Sequence, residues 1–103
     1  MIVKWTKQAE QALDEIADFV LEEYGWDACD RFLYRVQHMA KLLEKHPHLG
    51  PIEPLLANRP MMYRSVVVGR LNKLVYRIFD NQIKIVDFWD ARREPNAQAE
   101  QVN

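Results

Sequence analysis

The feature that most constrains the fold is a pair of amphipathic helical repeats with almost no chain between them. Apolar residues recur at spacings of three and four from Ala9 to Tyr24, with acidic residues mostly between them, and again from Ala28 to Leu43. Only two or three residues link the predicted helices. Helices joined so tightly run antiparallel, and both apolar stripes then face a common surface.

The ends of these helices are marked by residues that begin or stop helices. Thr6 and Asp27 each precede a repeat and are suitable N-caps, because their side-chain oxygens can accept a first-turn N–H. Gly25 suits the position after the first helix, since glycine adopts left-handed backbone angles freely. His46-Pro47 ends the second helix. The sequence therefore predicts a helical hairpin that starts after Thr6 and stops at His46.

Segments typical of β-strands lie on both sides of the hairpin. A short one precedes it at residues 2–5, and three longer runs rich in β-branched and aromatic residues follow it at 62–68, 71–79 and 82–89. The two short reversals between the later runs, Gly69-Arg70 and Asp80-Asn81, predict an antiparallel meander.

Strict alternation along the last run predicts which side chains share a face. One face would carry Ile83, Ile85 and Asp87, and the other Lys84, Val86 and Phe88. Because both sets include apolar residues, we expect the helices to cover one face of the sheet and something else to cover part of the second.

A proline-rich segment at residues 46–60 connects the hairpin to the three later strands. It holds four of the five prolines together with Gly50, so it is predicted to be an extended loop of fixed shape. The order β-α-α-β-β-β predicts an α+β domain over residues 1–95, in which an antiparallel sheet packs against the two-helix hairpin. Residues 96–103 form a polar tail without a period, either frayed or a short helix.

Composition limits the class of protein. A chain of 103 residues with 49% apolar and 28% charged residues fits one ordinary globular domain. Its one cysteine, Cys29, lies on the apolar side of a predicted helix and is expected to be a buried structural thiol in a reducing compartment. We expect a cytoplasmic protein, since neither a signal peptide nor a membrane-spanning stretch is visible.

The net charge of −1 hides an asymmetry along the chain. Residues 1–58 hold six Lys/Arg and ten Asp/Glu, a balance of −4, whereas residues 59–95 hold eight Lys/Arg and four Asp/Glu, a balance of +4. The overall balance argues against a protein that coats nucleic acid nonspecifically. The basic half could present a local surface for an anionic ligand, or its cations could be solvated strand residues.

No motif predicts a metal or cofactor site, because the histidines and Cys29 lack ligand spacing and there is no glycine-rich phosphate loop. The residues of interest are cations on or just after the predicted strands: Arg64, Lys73, Arg77, Arg92 and Arg93. Neighbouring antiparallel strands could bring several of them onto one face, where guanidinium groups suit phosphate or carboxylate ligands.

Four segments together resemble the RelE/ParE superfamily of toxins. They are residues 2–6 (Ile-Val-Lys-Trp-Thr) before an acidic helix, Tyr63-Arg64, residues 73–78 (Lys-Leu-Val-Tyr-Arg-Ile) and residues 88–95 (Phe-Trp-Asp-Ala-Arg-Arg-Glu-Pro). The resemblance implies an intracellular toxin of a type II toxin–antitoxin, or plasmid stabilisation, system. It also implies a cognate antitoxin, encoded alongside, that lays a segment across the toxin to form a hetero-oligomer.

Members of that superfamily have different activities. RelE-like and YoeB-like members cut messenger RNA on the ribosome, whereas ParE-like members poison DNA gyrase. In the YoeB-like pattern the catalytic groups are a loop glutamate, a basic residue on the third strand and a final His-Tyr pair. Glu53 and Lys73 match the first two, but Ala91 and Arg92 occupy the positions of the pair, and Asp90 replaces a histidine common in ParE-like chains.

The missing His-Tyr pair favours the ParE-like, gyrase-directed mode. Ribosome-dependent mRNA cleavage is the alternative, and an inactive relative that acts only as a binding module is a third. Residues matched to catalysis or to a phosphate site are Glu53, Arg64, Lys73, Arg77 and Arg92. Residues expected to contact a target are Trp89, Arg92 and Arg93, and no cofactor is expected.

Overall fold

The computed structural model describes residues 1–90, 92 and 95–102. Its elements are β1 (Ile2–Trp5), α1 (Lys7–Tyr24), α2 (Trp26–Lys45), a 3-10 turn (Pro54–Leu56), β2 (Arg64–Val68), β3 (Asn72–Phe79), β4 (Gln82–Asp90) and α3 (Pro95–Glu100). The predicted α+β class and element order are confirmed. None of the helices in the described ranges is long and apolar enough to cross a membrane.

The helical hairpin forms as its sequence predicts, with one difference at the join. Thr6 caps α1, its hydroxyl accepting the Ala9 N–H at 3.1 Å. Gly25, at φ +89°, ends α1 and directly precedes α2. Asp27 lies inside the first turn of α2, so its predicted role as N-cap is wrong. The left-handed angles of Gly25 reverse the chain within one residue and leave no room for a separate cap.

The sheet has the strand order β1-β4-β3-β2. Strands β2, β3 and β4 form the predicted antiparallel meander, with Asp80 and Asn81 at positive φ in the turn before β4. Strand β1 runs parallel to β4, so the expectation of a wholly antiparallel sheet is wrong for this pair. The helices and the first two meander strands lie between β1 and β4 in sequence, and this long crossover permits parallel pairing.

A β-bulge interrupts the alternation of β4. Val75 pairs with Asp87 and Tyr76 pairs with Ile85, which leaves Val86 as an extra residue. Ile83 and Ile85 share one face as predicted, and that face contacts the helices. Phe88 lies in the same core, so its predicted separation from them is wrong. The inserted residue shifts every later side chain of β4 by one position.

The two faces of the sheet have separate cores. The helical hairpin covers one face, where residues such as Phe32, Leu43, Leu74 and Tyr76 are at most 3% exposed. The opposite side, called here the outer face, is partly covered by the 3-10 turn and α3. Its buried set is Leu56, Tyr63, Val75, Trp89, Ala99 and Val102. Of the two alternatives for the polar tail, the structure therefore has the helix.

The proline-rich loop is fixed against the start of β2. Glu53 N–H donates to the Tyr63 carbonyl at 2.9 Å, and Ser65 N–H donates to the Pro51 carbonyl at 3.1 Å. A Cβ atom on Gly50 would lie 2.5 Å from the Ser65 carbonyl oxygen, so only glycine allows this close approach. This attachment places Glu53 against the sheet.

Candidate functional site

Glu53 immediately precedes the 3-10 turn, and its side chain is fully buried. One carboxylate oxygen accepts the Leu55 backbone N–H at 2.8 Å. The other accepts the Ser65 hydroxyl at 3.0 Å and Lys73 Nζ at 2.6 Å. Both oxygens are therefore occupied by donors of the protein itself, and the carboxylate ties the loop to β2 and β3.

The electrostatics of Glu53 favour the ionised form. Burial raises the pKa of its carboxyl, but the hydrogen bonds from Lys73, Leu55 and Ser65 and the Lys73 charge together hold that pKa below its ordinary value. A general base must reach the proton that it removes and works best with a pKa near the working pH. Glu53 is enclosed, and the pKa of its carboxyl lies far from neutrality.

Arg64 lies on the opposite side of the sheet from Lys73. Arg64 pairs with Tyr76, whose side chain is in the helix-facing core, whereas Lys73 pairs with Trp89 of the outer-face core. The Arg64 guanidinium donates to the Gly50 carbonyl at 2.8 Å. The expectation that Arg64 and Lys73 bind one phosphate group is therefore not supported by their placement.

Arg77 shares the outer face with Lys73 but not its surroundings. The two residues are four positions apart on β3, which corresponds to roughly 13 Å along a strand. The Arg77 guanidinium carbon lies 4.7 Å from the centre of the exposed Phe79 ring. The sequence placed Lys73 and Arg77 in one cationic group, and the structure separates them.

Arg92 follows the end of β4 and is held in a fixed position. Its guanidinium donates to both carboxylate oxygens of Asp90, at 3.0 and 2.8 Å, and lies 4.6 Å from the centre of the Phe19 ring. The hydrogen bond from Arg92 to Asp90 raises the pKa of Arg92 further. Its side chain is 43% exposed, so it remains open to a partner. Ala91 and Arg93 lie outside the described residues.

Trp89 is a packing residue in this structure. Its side chain is 4% exposed, and its indole N–H donates to the Asp87 carboxylate at 2.9 Å. The expectation that Trp89 contacts a target directly is therefore wrong for this conformation. The bulge at Val86 turns the Trp89 ring onto the outer face, and the alternating pattern of the sequence gives no sign of it.

Sequence reasoning missed the contacts that hold α3 in place. The Gln98 side chain accepts from the Asp90 N–H at 2.8 Å and donates to the Asp90 carbonyl at 3.0 Å. Arg59 donates to the carbonyls of Ala99 and Val102. The signals present were Pro95 at a first-turn position and the alternating alanines after it, but these did not identify the partners.

An apolar groove of about 240 Å³ lies on the outer face beside α3. Its wall includes Leu55, Val67, Leu71, Lys73, Trp89 and Pro95. Val67 is 60% exposed and Leu71 is 45% exposed, so apolar surface is open to solvent here. A partner's apolar side chains fit such a groove better than a charged substrate does.

Comparison with known proteins identifies the family. Solved structures with a similar fold include the chromosomal ParDE toxin–antitoxin system from P. aeruginosa and the YoeB dimer from Staphylococcus aureus. The first is 22% identical over 89% of this chain and 97% of that chain, with a TM-score of 0.73. The second is 21% identical over 84% and 92%, with a TM-score of 0.56. No curated protein matches the chain.

The family profile that matches this chain is described as the ParE toxin of the type II toxin–antitoxin system parDE, and it covers residues 3–95. The resemblance to RelE/ParE toxins found in the sequence is thereby confirmed. Because the match spans most of the 103 residues, the chain belongs to the ParE family of type II toxins.

Proposed function

We propose that this toxin inhibits growth by binding DNA gyrase, without nuclease chemistry, and that a cognate antitoxin neutralises it. The observation that carries the proposal is the 2.6 Å contact between Lys73 and buried Glu53. These are the two residues that match the nuclease pattern, and in this chain each neutralises the other.

Arg64 and Arg92, two other described residues matched to catalysis, do not join Lys73 in a nuclease site. Cleaving RNA through its 2′-hydroxyl needs a base, an acid and cations gathered around one phosphate. Arg64 lies on the other side of the sheet from Lys73, and Arg92 forms a two-bond contact with Asp90. The placement of these residues supports binding rather than catalysis.

The proposed target-binding surface is centred on Arg92. The Phe19 ring under its guanidinium meets the Tyr24 ring edge-on at 6.4 Å, and the two rings are 36% and 67% exposed. Exposed aromatic rings with a fixed arginine are the composition enriched at the centres of protein interfaces. Arg93, the next residue after Arg92, is assigned to the same surface from its position in the sequence.

Two alternative functions are each supported by one observation. Ribosome-dependent mRNA cleavage is the first alternative, because Glu53 and Lys73 match two catalytic positions of the YoeB-like pattern. The absence of the His-Tyr pair, with Ala91 and Arg92 in its place, favours an inactive relative that only binds partners.

The test compares a double variant at the ion pair with a single variant at the surface. Glu53→Gln with Lys73→Met removes both charges and keeps hydrogen-bonding and packing atoms, so toxicity and inhibition of gyrase supercoiling should persist. Arg92→Ala should weaken gyrase inhibition roughly ten- to thirtyfold, as expected for loss of an interface anchor worth about 1.4–2 kcal/mol. Growth curves and supercoiling assays measure both.

The matched control is Lys41→Ala, which removes an exposed cation from α2. It should leave toxicity unchanged, and thermal unfolding should show that every variant is folded. Ribosome-dependent mRNA cleavage that disappears in the double variant would contradict the proposal. Absence of growth inhibition by the folded wild type would favour the inactive relative.

A further inference from the structure

Three cations stand side by side on the outer face, at the end of the sheet away from Lys73. The register pairs Lys4 of β1 with Lys84 of β4, and Lys84 with Arg77 of β3. Val3 and Trp5 pack into the helix-facing core, so Lys4 lies on the outer face between them in sequence. These residues, Lys4, Lys84 and Arg77, are called the basic row.

Like charges directly opposite on neighbouring strands destabilise a sheet. Neighbouring strands are roughly 5 Å apart, so the three side chains start from adjacent points of the sheet. Among the described residues, the ion pairs join Lys73 to Glu53 and Arg92 to Asp90, and neither includes a member of the row. The like charges of the row therefore lie side by side without an ion pair to a carboxylate in the described part of the chain.

The row borders an open cavity of about 360 Å³, in which a fourth cation joins it. The cavity is lined by Thr6, Lys7, Gln8, Arg77, Lys84 and Val86, among others. The Phe79 ring holds two of the cations close together, with the Arg77 guanidinium at 4.7 Å and Lys84 Nζ at 5.8 Å from its centre. A guanidinium stacked on a ring keeps its N–H groups free for an anion at its edge.

We propose that the basic row is the docking site for an acidic helix of the antitoxin, lying across β1, β4 and β3. This inference rests on the proposed neutralisation by an antitoxin and adds the chemistry of the segment and its place on the toxin. From Lys4 to Arg77 the row spans two strand spacings, about 10 Å. Carboxylates one turn apart on a helix repeat at about 5.4 Å, so two turns match the row.

A nucleic acid fits this surface less well. A nucleic-acid strand carries a charge about every 3.4 Å and needs a longer basic track than 10 Å. Phe79 is the aromatic ring beside the row, and Arg77 already lies against it, so it does not offer a free stacking platform for a base.

The test measures binding of the antitoxin encoded beside the toxin gene to the wild type and to Lys4→Gln with Lys84→Gln. Loss of two charge contacts should raise the Kd about tenfold at low salt. The difference in Kd between the wild type and the variant should disappear as the salt concentration rises. The matched control, Lys41→Gln with Lys45→Gln on α2, removes the same charge elsewhere and should leave the Kd unchanged.

Equal Kd values and equal salt dependence for the wild type and the Lys4/Lys84 variant would overturn the inference while leaving the proposed function intact. Failure of the wild type to bind the antitoxin would overturn both. A labelled 20-nucleotide single strand serves as the second probe. If its binding is lost in the Lys4/Lys84 variant while antitoxin affinity is unchanged, the row belongs to a nucleic acid instead.

Discussion

Two groups of cations on one face of this sheet have opposite surroundings. Lys73 contacts a buried carboxylate at 2.6 Å, whereas Arg77, four residues further along the same strand, faces Lys84 and, beyond it, Lys4. The paired cation holds a loop to the sheet. The row has no ion pair among the described residues, so its charges are available to a partner. Charge alone therefore does not mark a binding site, and the pairing of each charge decides its role.

The largest expected effect on stability comes from removing one charge of the Lys73–Glu53 ion pair and leaving the other. Lys73→Met leaves the buried Glu53 carboxylate without its cation and should lower the free energy of unfolding by about 2 kcal/mol. This is below the range for fully buried pairs because the Lys73 side chain is 36% exposed. Denaturant unfolding measures it.

Adding Glu53→Gln to Lys73→Met should recover most of that loss, because the double variant leaves no buried charge. Lys84→Met is the matched control from the unpaired group and should change stability by less than about 0.5 kcal/mol. Equal losses in the Lys73 variant and in the double variant would mean that the pair does not hold the loop as described.

Lowering the pH should have an intermediate effect on stability. The pKa of Glu53 is lowered in the folded state, so the stability that its carboxylate contributes is fully present above the ordinary pKa of 4.5 and is lost as the pH falls through the folded value. The difference in unfolding free energy between the wild type and Glu53→Gln should therefore narrow below about pH 4.5. Urea unfolding at several pH values measures it, and a difference that stays constant down to pH 3 would refute the ionised network.

The smallest expected effect is a gain in stability, whereas the changes above lower it. Lys84→Gln relieves repulsion in the basic row and should stabilise the free toxin by about 0.3 kcal/mol at low salt. At 1 M salt the Debye length is about 3 Å, so the gain should vanish. Thermal unfolding at the two salt concentrations measures it. A loss of stability at low salt would show that Lys84 has a structural role and would weaken the contrast with Lys73.

The sequence predicts the local part of this fold well, because helices depend on contacts within a few residues. The spacing of apolar residues and the residues Thr6 and Gly25 are sufficient to place α1. The face of Phe88 and the direction of β1 depend instead on partners far away in the chain. The Val86 bulge and the parallel pairing of β1 with β4 are tertiary features without a local signal.

The candidate site was less predictable than the fold for the same reason. The sequence identified Glu53 and Lys73 as residues of interest, but their joint burial depends on Ser65 and on the path of the proline-rich loop. The basic row is also invisible in the sequence, because Lys4 and Lys84 are 80 positions apart and meet only through strand register. Arg92 was identified as exposed to a partner, but its contact with Phe19 requires the assembled structure.

The pairing of β1 with β4 also sets an order of events when the toxin is made. Strand β1 leaves the ribosome before its partner, because the pairing residues Ile2 and Gln82 are 80 positions apart. At about 5–20 residues per second, synthesis of that stretch takes roughly 4–16 seconds, during which the sheet cannot close around β1. We therefore expect that a nascent or truncated chain lacking β4 is harmless, and that an antitoxin made at the same time meets the finished surface as soon as it exists.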